Sequence, residues 1–381
     1  MGWQELIGQS RALETLRRAL RSGRLGHAYL FYGPSGAGTE PAALLMARAL
    51  QCRRGEPDPC DECTACRKVR ALVHPDVHVL FPAPTDASEE EIAERRARLA
   101  EDPYAELDFS QRQAEGDRAR NRQVLYSVAV IEALRRRLYL RPHEGRYQVV
   151  LLLAAEALRQ EAANALLKIL EEPPEATLFV LTTSRPDRLL PTIVSRCQKV
   201  RFDPLAEEDV VAALRARGLE PEEAISLARI AAGNLSRALA LRQAAWRVER
   251  EAVLAWLRTA ASGRWMELAR HAEEAQRLNR EQLKDRLQVL LFWLRDLWRY
   301  GHNPDPQGLY YPDQVEVFAR FHAKLPEADL EAMIQATEDA LRAIERNGNA
   351  LLVSMALSLR LRRAMRGQAL QAQPIAGGLE A

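Results

Sequence analysis

Four of the five cysteines lie close together in the chain, in the arrangement C-x7-C-x2-C-x2-C. A gap of two residues lets neighbouring thiolates face one cation, and four thiolates close a tetrahedral shell around zinc. The spacing therefore predicts a structural zinc site, with an iron–sulfur cluster or an unmetallated cluster as the alternatives. Disulfides are disfavoured because the chain is expected to stay in a reducing compartment. The four residues are Cys52, Cys60, Cys63 and Cys66.

A glycine-rich segment with the frame of a phosphate-binding loop follows a short apolar run. Residues 33–40 read G-P-S-G-A-G-T-E, to be compared with G-x-x-x-x-G-K-[ST]. In such a loop the lysine neutralises phosphate charge and the hydroxyl residue binds Mg²⁺. Thr39 replaces the lysine, Glu40 replaces the hydroxyl residue, and Pro41 removes an amide. The frame is kept by Gly33, Gly36 and Gly38, whereas the phosphate chemistry is lost.

The carboxylates that hydrolysis requires are also missing. Active enzymes of this kind end a second strand with an Asp-Glu pair, but here the strand at 148–153 continues as Ala154-Ala155-Glu156. Glu156 is displaced by two residues from the expected position. The two lesions are independent, so we expect that this chain does not hydrolyse ATP and either fails to bind it or binds it without turnover.

The elements around these motifs alternate between strands and helices. Apolar runs flanked by turn residues predict strands, and helical periodicity predicts the segments between them, which is typical of an α/β domain with a parallel sheet. After residue 204 the pattern is helical with no strand candidate. The predicted strands are 28–32, 148–153 and 177–182, and the predicted helices of this region are 10–22, 42–50 and 160–171.

Length and charge restrict the class of protein. The 381 residues suggest two or three domains, and 54 Lys+Arg against 52 Asp+Glu exclude a polybasic chain that binds nucleic acid by bulk charge. The longest apolar stretch, residues 149–155, is far short of the ~20 residues that span a bilayer. With no secretory signal at the N-terminus, we expect a soluble, cytoplasmic protein without a membrane partner.

One segment departs from this pattern. Residues 85–123 hold eleven acidic and seven basic side chains and few large apolar ones. Such a segment would expose charge on every face, so an inserted loop or a partly helical, mobile excursion is expected, with a regulatory or partner-binding role as the alternative.

Several longer motifs together resemble bacterial clamp-loader subunits of the AAA+ class. The inserted cysteine module belongs to this resemblance, and N-x-N at 347–349 followed by the helix at 351–361 is similar to the end of the family's helical collar domain. The kept cysteines and the lost phosphate chemistry match the degenerate, delta-prime-like type of subunit. The other motifs are L-I-G-Q at 6–9, H-A-Y-L-F at 27–31, N-A-L-L-K-I-L-E-E-P-P at 164–174 and T-I-V-S-R-C at 192–197.

The resemblance implies a domain organisation. An AAA+ α/β domain, a parallel sheet with flanking helices, would span residues 1–203 and contain the zinc module at about 50–70 and the charged insertion at about 85–123. A small helical lid domain would span 204–243 and an all-α collar, which joins subunits, would span 244–366. Residues 367–381 would form a mobile tail.

The resemblance also assigns a role to Arg196 in the motif Ser195-Arg196-Cys197. In the family this arginine projects into the ATP site of a neighbouring subunit, where an arginine finger supplied in trans stabilises the transferred phosphoryl group. A salt bridge at a strand end is the alternative. Arg237 resembles the family's second nucleotide sensor or survives as an interface residue. Cys197 is interpreted as a small buried hydrophobe.

Two further positions and the partners follow from the same resemblance. Thr182 and Thr183 lie where active relatives place a polar sensor of the γ-phosphate, or else cap a strand end. The chain would be a non-hydrolysing scaffold in the DNA polymerase III clamp loader, assembled with ATPase (gamma/tau-like) and delta-like subunits, and would meet the sliding clamp and primer-template DNA through that complex. The alternatives are an active clamp-loader ATPase and a zinc-dependent DNA-binding protein.

Overall fold

The computed structural model describes residues 3–54, 57–84, 86–105, 124–243, 246–278 and 280–368. These residues form two compact units. The first comprises the described residues of 3–105, 124–219 and 231–240, and the second those of 220–230 and 241–368. Each unit is described by itself. The predicted lid and collar boundaries at 204–243 and 244–366 remain predictions.

Among the described residues, strands occur only in the first unit, where they form two sheets. The larger is a five-stranded parallel sheet, in which the strands lie side by side in the order Val77–Leu80, Gln148–Leu152, Thr177–Thr183, Ala28–Tyr32 and Gln198–Arg201. The smaller sheet pairs Ala83–Pro84 with Val124–Leu125 in antiparallel orientation. A parallel sheet with flanking helices confirms the predicted α/β architecture. The strands are β1 (Ala28–Tyr32), β2 (Val77–Leu80), β3 (Ala83–Pro84), β4 (Val124–Leu125), β5 (Gln148–Leu152), β6 (Thr177–Thr183) and β7 (Gln198–Arg201).

The central strands are buried on both faces. Every residue of β5 and β6 is buried, as expected for a parallel sheet whose two faces are both covered by helices. Alternate residues of β5 enter different cores: Val149 packs with the core that contains Phe31, and Val150 with the core that contains Leu166. The continuous apolar runs in the sequence reflect this double burial.

Sixteen α-helices are found among the described residues, besides four short 3-10 helices. The first helices surround the sheet, and the C-terminal helices form the second unit. In chain order they are α1 (Ser10–Ser22), α2 (Thr39–Gln51), α3 (Thr64–Arg70), α4 (Glu89–Glu101), α5 (Val128–Leu138), α6 (Gln160–Glu171), α7 (Pro191–Arg196), α8 (Glu207–Ala216), α9 (Pro221–Ala231), α10 (Leu235–Gln243), α11 (Trp246–Ser262), α12 (Trp265–Arg277), α13 (Arg280–His302), α14 (Val315–Lys324), α15 (Leu330–Glu345) and α16 (Ala350–Met365).

The charged segment contains a helix that is packed into the first unit. α4 begins with a capping box, in which the Ser88 hydroxyl accepts from the Glu91 amide and the Glu91 carboxylate accepts from the Ser88 amide. Arg95 and Leu99 are buried, and Leu99 belongs to the main core of the sheet. The expectation of charge on every face is therefore wrong for α4, because one face of this helix carries core residues. Residues 106–123 lie outside the described residues.

The second unit is helical, as predicted for this region. α13 packs against α15, and α15 packs against α16. The Trp256 indole N–H donates to the Ser358 hydroxyl at 2.8 Å, which satisfies a buried polar pair between α11 and α16. Among the described residues, no helix is both long and apolar enough to cross a bilayer. The predicted tail is described only at 367–368; residues 369–381 lie outside the described part.

A buried carboxylate joins β2 to the loop that leads into β5. Asp76 is 3% exposed and accepts hydrogen bonds from the backbone amides of His143, Glu144 and Gly145 at 2.6, 2.8 and 2.7 Å. Burial alone would raise its pKa, but the three amide donors outweigh burial and lower the pKa of this carboxyl below its usual range. The anchor fixes the start of β5 beside β2.

We predict that Asp76→Asn lowers the free energy of unfolding by about 1–3 kcal/mol at pH 7, because all three amide donors lose the carboxylate charge and at least one of them faces an NH2 group instead of an acceptor. The folded-state pKa of Asp76 is depressed, so its stabilisation is present above the unfolded pKa of about 3.9 and is lost as the pH falls through the folded pKa. The difference between wild type and variant in urea denaturation should therefore shrink below about pH 3.9.

The matched control is Asp187→Asn, since Asp187 is exposed. Its effect should stay within about 0.5 kcal/mol at both pH values. An equal loss for Asp76→Asn at pH 7 and pH 3 would contradict the assigned role of the carboxylate charge.

Candidate functional site

The structure brings the four clustered cysteines together. Their Sγ atoms all lie within 4.8 Å of one another, and the Sγ atoms of Cys60 and Cys66 are 3.9 Å apart. Four sulfurs bound tetrahedrally to zinc at about 2.3 Å would be about 3.8 Å apart, so the spacing fits a tetrahedral thiolate site. Cys52 caps the end of α2, and Cys63 caps the start of α3. The cluster could hold a metal ion.

Backbone amides of the module point at the sulfurs. The amides of Cys60, Cys63 and Cys66 donate to the Sγ atoms of Cys52, Cys60 and Cys63 respectively, each at 3.4 Å. The Cys63 amide lowers the pKa of the Cys60 thiol. Burial raises the pKa of Cys63, but amide and thiol hydrogen bonds outweigh it and lower that pKa to about 6. Burial raises the pKa of Cys66. N–H donors that stabilise thiolates suit a cation-binding site.

Ion pairs fasten the cysteine module to the rest of the first unit. The buried Arg48 of α2 pairs with Glu5 at 3.0 Å and with Asp61 at 3.1 Å. Arg17 of α1 makes two hydrogen bonds to Asp58, at 2.8 and 3.1 Å. These contacts connect the module to the N-terminal segment and α1, which is typical of a structural element.

The glycine loop lies between β1 and α2, as predicted. Gly36 and Gly38 have φ of 71° and 104°, conformations that favour glycine. The Glu40 carboxylate accepts from the Thr39 hydroxyl at 2.7 Å and from the Thr182 hydroxyl at 3.1 Å. The residues that replace the lysine and the hydroxyl ligand are thus bonded to each other and to β6, which leaves a carboxylate where phosphate charge would need a cation.

The loop is also held by side chains from distant parts of the chain. The side-chain amide of Gln9 donates to the backbone carbonyl oxygens of Ala37 and Asp203, at 3.0 and 2.6 Å. The Leu235 amide donates to the Gly36 carbonyl at 3.3 Å. A Cβ added at Gly36 would overlap the Asn234 amide oxygen. Other segments of the first unit therefore form hydrogen bonds and close contacts with the backbone of the loop.

The displaced carboxylate at the end of β5 has its own partner. Glu156 accepts from the Ser184 amide and hydroxyl, at 3.2 and 2.7 Å. Thr182 and Thr183 are both buried; the Thr182 hydroxyl accepts from the Ala154 amide at 3.0 Å and donates to Glu40. Thr182 thus bonds within the chain in the described contacts, as a strand-end hydroxyl would.

Arg196 is the last residue of α7 and lies at the surface. Its guanidinium donates to the Thr192 carbonyl at 3.0 Å and pairs with the Glu171 carboxylate at 2.7 Å. The sequence prediction did not include Glu171, because it lies 25 residues away, although it belongs to the E-E-P-P motif at the end of α6. Cys197 is buried, and burial raises its pKa to about 11, as expected for an inert thiol.

Arg237 lies at the start of α10, where its amide donates to the Asn234 side chain at 2.9 Å. Asn234 thus caps the helix and also faces Gly36. The region predicted to hold a second sensor therefore touches the glycine loop through Asn234. The assignment of Arg237 as a sensor remains a prediction.

The chain is similar to subunits of a bacterial replicase. Residues 8–206, more than half of the chain, match the family profile described as "DNA polymerase III, delta subunit". The Pseudomonas aeruginosa protein DNA polymerase III subunit delta' is 32% identical over 314 residues, which cover 81% of this chain and 82% of that protein.

Two Bacillus subtilis proteins are similar over a shorter region. DNA polymerase III subunit delta' is 31% identical over 242 residues, and subunit tau is 30% identical over 246 residues. Each match covers 63% of this chain. The matches span 61% of that delta' subunit and 37% of tau, which is less than two thirds of either relative's length.

Proposed function

This chain belongs to the DNA polymerase III delta-prime subunit family, and we propose that it is a non-hydrolysing scaffold subunit of the clamp loader. In this role the AAA+ domain supplies Arg196 in trans to the ATP site of a neighbouring subunit. The neighbour is an active gamma/tau-like ATPase, and a delta-like subunit completes the assembly. The sliding clamp and primer-template DNA are met through the complex.

The observation that carries the non-hydrolysing assignment is the contact between Glu40 and Thr182. A γ-phosphate at this loop would meet a carboxylate where active enzymes place a hydroxyl ligand for Mg²⁺. Thr39 cannot neutralise phosphate charge, and it is already bonded to Glu40. The end of β5 offers Glu156, which is bonded to Ser184. Both halves of the hydrolytic chemistry are thus replaced.

The surroundings of Arg196 support a role outside its own chain. Its side chain is 34% exposed and that of Glu171 is 50% exposed. An ion pair this exposed to water contributes about 0–1 kcal/mol, so separating the two costs little. A phosphate group on a neighbouring subunit would be a stronger, bidentate partner for the guanidinium. Glu171 therefore orients the Arg196 side chain, and a phosphate group can displace Glu171 at little cost in free energy.

The alternative function is that of an active ATPase. It is tested by measuring ATP hydrolysis by the purified chain alone. We expect none above background with DNA and Mg²⁺ present. Turnover by the isolated chain would overturn the scaffold assignment, since it would require a catalytic site in this chain.

We predict that Arg196→Ala abolishes the ATPase activity that this chain stimulates in a gamma/tau-like subunit from the same source. The expected loss is on the order of 10³-fold, because an arginine finger stabilises charge in the transition state. Arg196→Lys should recover little, since an ammonium does not reproduce the planar fork of hydrogen-bond donors. ATPase turnover of the assembled complex is the measurement, with assembly checked by size-exclusion chromatography.

The control is Arg188→Ala, an exposed arginine eight residues before Arg196. This variant removes the same charge and should retain full stimulation. If an assembled Arg196→Ala complex keeps undiminished ATPase activity, the finger assignment is wrong.

We propose that Cys52, Cys60, Cys63 and Cys66 bind one structural zinc ion. The proposal is supported by four sulfurs at the spacing that tetrahedral zinc requires and by the amide donors that favour thiolates at Cys60 and Cys63. Four protein ligands leave no open position for water, so the ion would serve the fold rather than catalysis. Bound there, it would join the end of α2 to the start of α3.

We predict that Cys63→Ser lowers the zinc content from one ion per chain and destabilises the module. Zinc binding in model peptides is worth roughly 10 kcal/mol or more, so the local loss of stability should be large. Elemental analysis gives the zinc content, and protease sensitivity within 52–70 reports the local structure.

The matched control is Cys197→Ser, which removes the one cysteine outside the cluster. It should keep one zinc per chain. Retention of one zinc by Cys63→Ser would rule out the four-ligand site.

A further inference from the structure

A tyrosine from the charged segment lies against the glycine loop. Tyr104 follows α4 and is 3% exposed. Its hydroxyl oxygen accepts a hydrogen bond from the Ile7 amide at 3.0 Å. A Cβ added at Gly38 would lie 3.0 Å from this hydroxyl and 3.0 Å from the Leu6 side chain. Tyr104 therefore closes the side of the loop that lies just before the first turn of α2.

The position of Tyr104 matters because of what glycines do in phosphate-binding loops. Glycine is needed where a ligand approaches the backbone so closely that a side chain would be in the way. The glycine frame is kept here, but the open side of Gly38 faces Tyr104, and the open side of Gly36 faces Asn234. Side chains of the protein therefore pack against the two glycines of the loop that have positive φ.

Two anchors hold the tyrosine in place. The Asp102 carboxylate accepts from the Tyr104 amide at 2.9 Å and pairs with the Arg217 guanidinium at 3.0 Å. Arg217 follows α8 and also donates to the Ala213 carbonyl of that helix at 3.1 Å. The second anchor is α4, whose Leu99 is fully buried in the main core. The segment 102–104 therefore connects α4, the N-terminal residues, the glycine loop and α8.

The chemistry of the side chain resembles that of a purine base. A phenol ring is a flat aromatic body, and its oxygen accepts from a backbone amide as a purine ring nitrogen does. Burial raises the pKa of Tyr104 to about 12, so the hydroxyl stays neutral. At the end of the loop where phosphate would bind, the hydroxyls of Thr39 and Thr182 both donate to the Glu40 carboxylate.

We propose that Tyr104 permanently fills the nucleotide cleft, by which we mean the space beside Leu6, Ile7 and Gly38 that a purine nucleoside would occupy. The first unit then keeps one conformation without nucleotide. The proposal rests on the non-hydrolysing function and deepens it. An active ATPase would need this cleft to fill and empty, whereas a scaffold gains from a conformation that does not depend on nucleotide. The cleft should accept a purine nucleoside once the tyrosine ring is removed.

The test uses the full-length chain and adenosine as the probe. Adenosine carries no phosphate, so the Glu40 carboxylate does not repel it. Wild type should show no binding of millimolar adenosine by equilibrium dialysis and no rise in melting temperature. We expect Tyr104→Ala to melt at a lower temperature than wild type. It should bind adenosine with a dissociation constant about tenfold or more below the highest concentration at which wild type shows no binding, and adenosine should restore part of its melting temperature.

Two variants separate filling of the cleft from a general packing effect. Tyr104→Phe keeps the ring and loses the bond to Ile7, so it should bind no adenosine. Leu99→Ala removes a fully buried side chain from α4 and should be destabilised without responding to adenosine. The proposal is overturned if folded Tyr104→Ala binds no adenosine, or if Leu99→Ala responds equally.

A milder variant keeps the proposal testable if Tyr104→Ala does not fold. Asp102→Ala releases Arg217 and the Tyr104 amide without removing a core side chain. Hydrogen exchange at the Ile7 amide should then speed up about tenfold or more, while the Leu30 amide in β1 keeps its protection. Unchanged exchange at Ile7 would refute the anchoring of the tyrosine.

The outcome is independent of the arginine-finger test. Stimulation of a partner ATPase reports on Arg196, whereas adenosine binding and Ile7 exchange report on the cleft. If stimulation survives in Tyr104→Ala and adenosine does not bind, only the role of Tyr104 fails.

Discussion

Parallel pairing of β1 with β6 on one side and β7 on the other determines where the candidate site lies. The register places Phe31 opposite Thr182, and Tyr32 opposite Thr183 and Arg201. The carboxyl ends of the three strands meet at one edge, so the glycine loop begins beside the threonines of β6. The contact between Glu40 and Thr182 exists only because this pairing fixes both residues.

The glycine loop is packed against other segments of the first unit. A buried glycine loop with neither a ligand nor side chains packed against it would leave amides without hydrogen-bond acceptors and would leave a cavity. Both are unfavourable in a packed protein. Gln9, Asn234 and Tyr104 supply side-chain contacts to the loop from three separate segments of the first unit. Under the proposed role of Tyr104, these contacts within the chain take the place of contacts to a nucleotide.

The two remaining chemical groups differ in how much their surroundings constrain them. The cysteines are held by helix ends, amide donors and the ion pairs of Arg48, which suits a group that must keep its geometry. Arg196 ends a short helix at the surface, and its charge is paired with the half-exposed carboxylate of Glu171, which suits a group that must exchange partners. The proposed structural metal site and the proposed trans-acting arginine therefore have opposite requirements within one domain.

Features that depend on local spacing can be predicted from the amino-acid sequence without coordinates. The C-x2-C repeats, the glycine frame with its replaced lysine, and the apolar runs of β5 and β6 each act over a few residues, so their meaning survives without coordinates. Contacts between distant groups become visible in the fold alone: Glu171 meets Arg196, Glu40 meets Thr182, and Tyr104 meets Gly38. The composition of 85–123 predicted an exposed excursion, because charge counts carry no information on the single helix face that holds Leu99. Long-range contacts depend on strand register and helix packing, which no local pattern encodes.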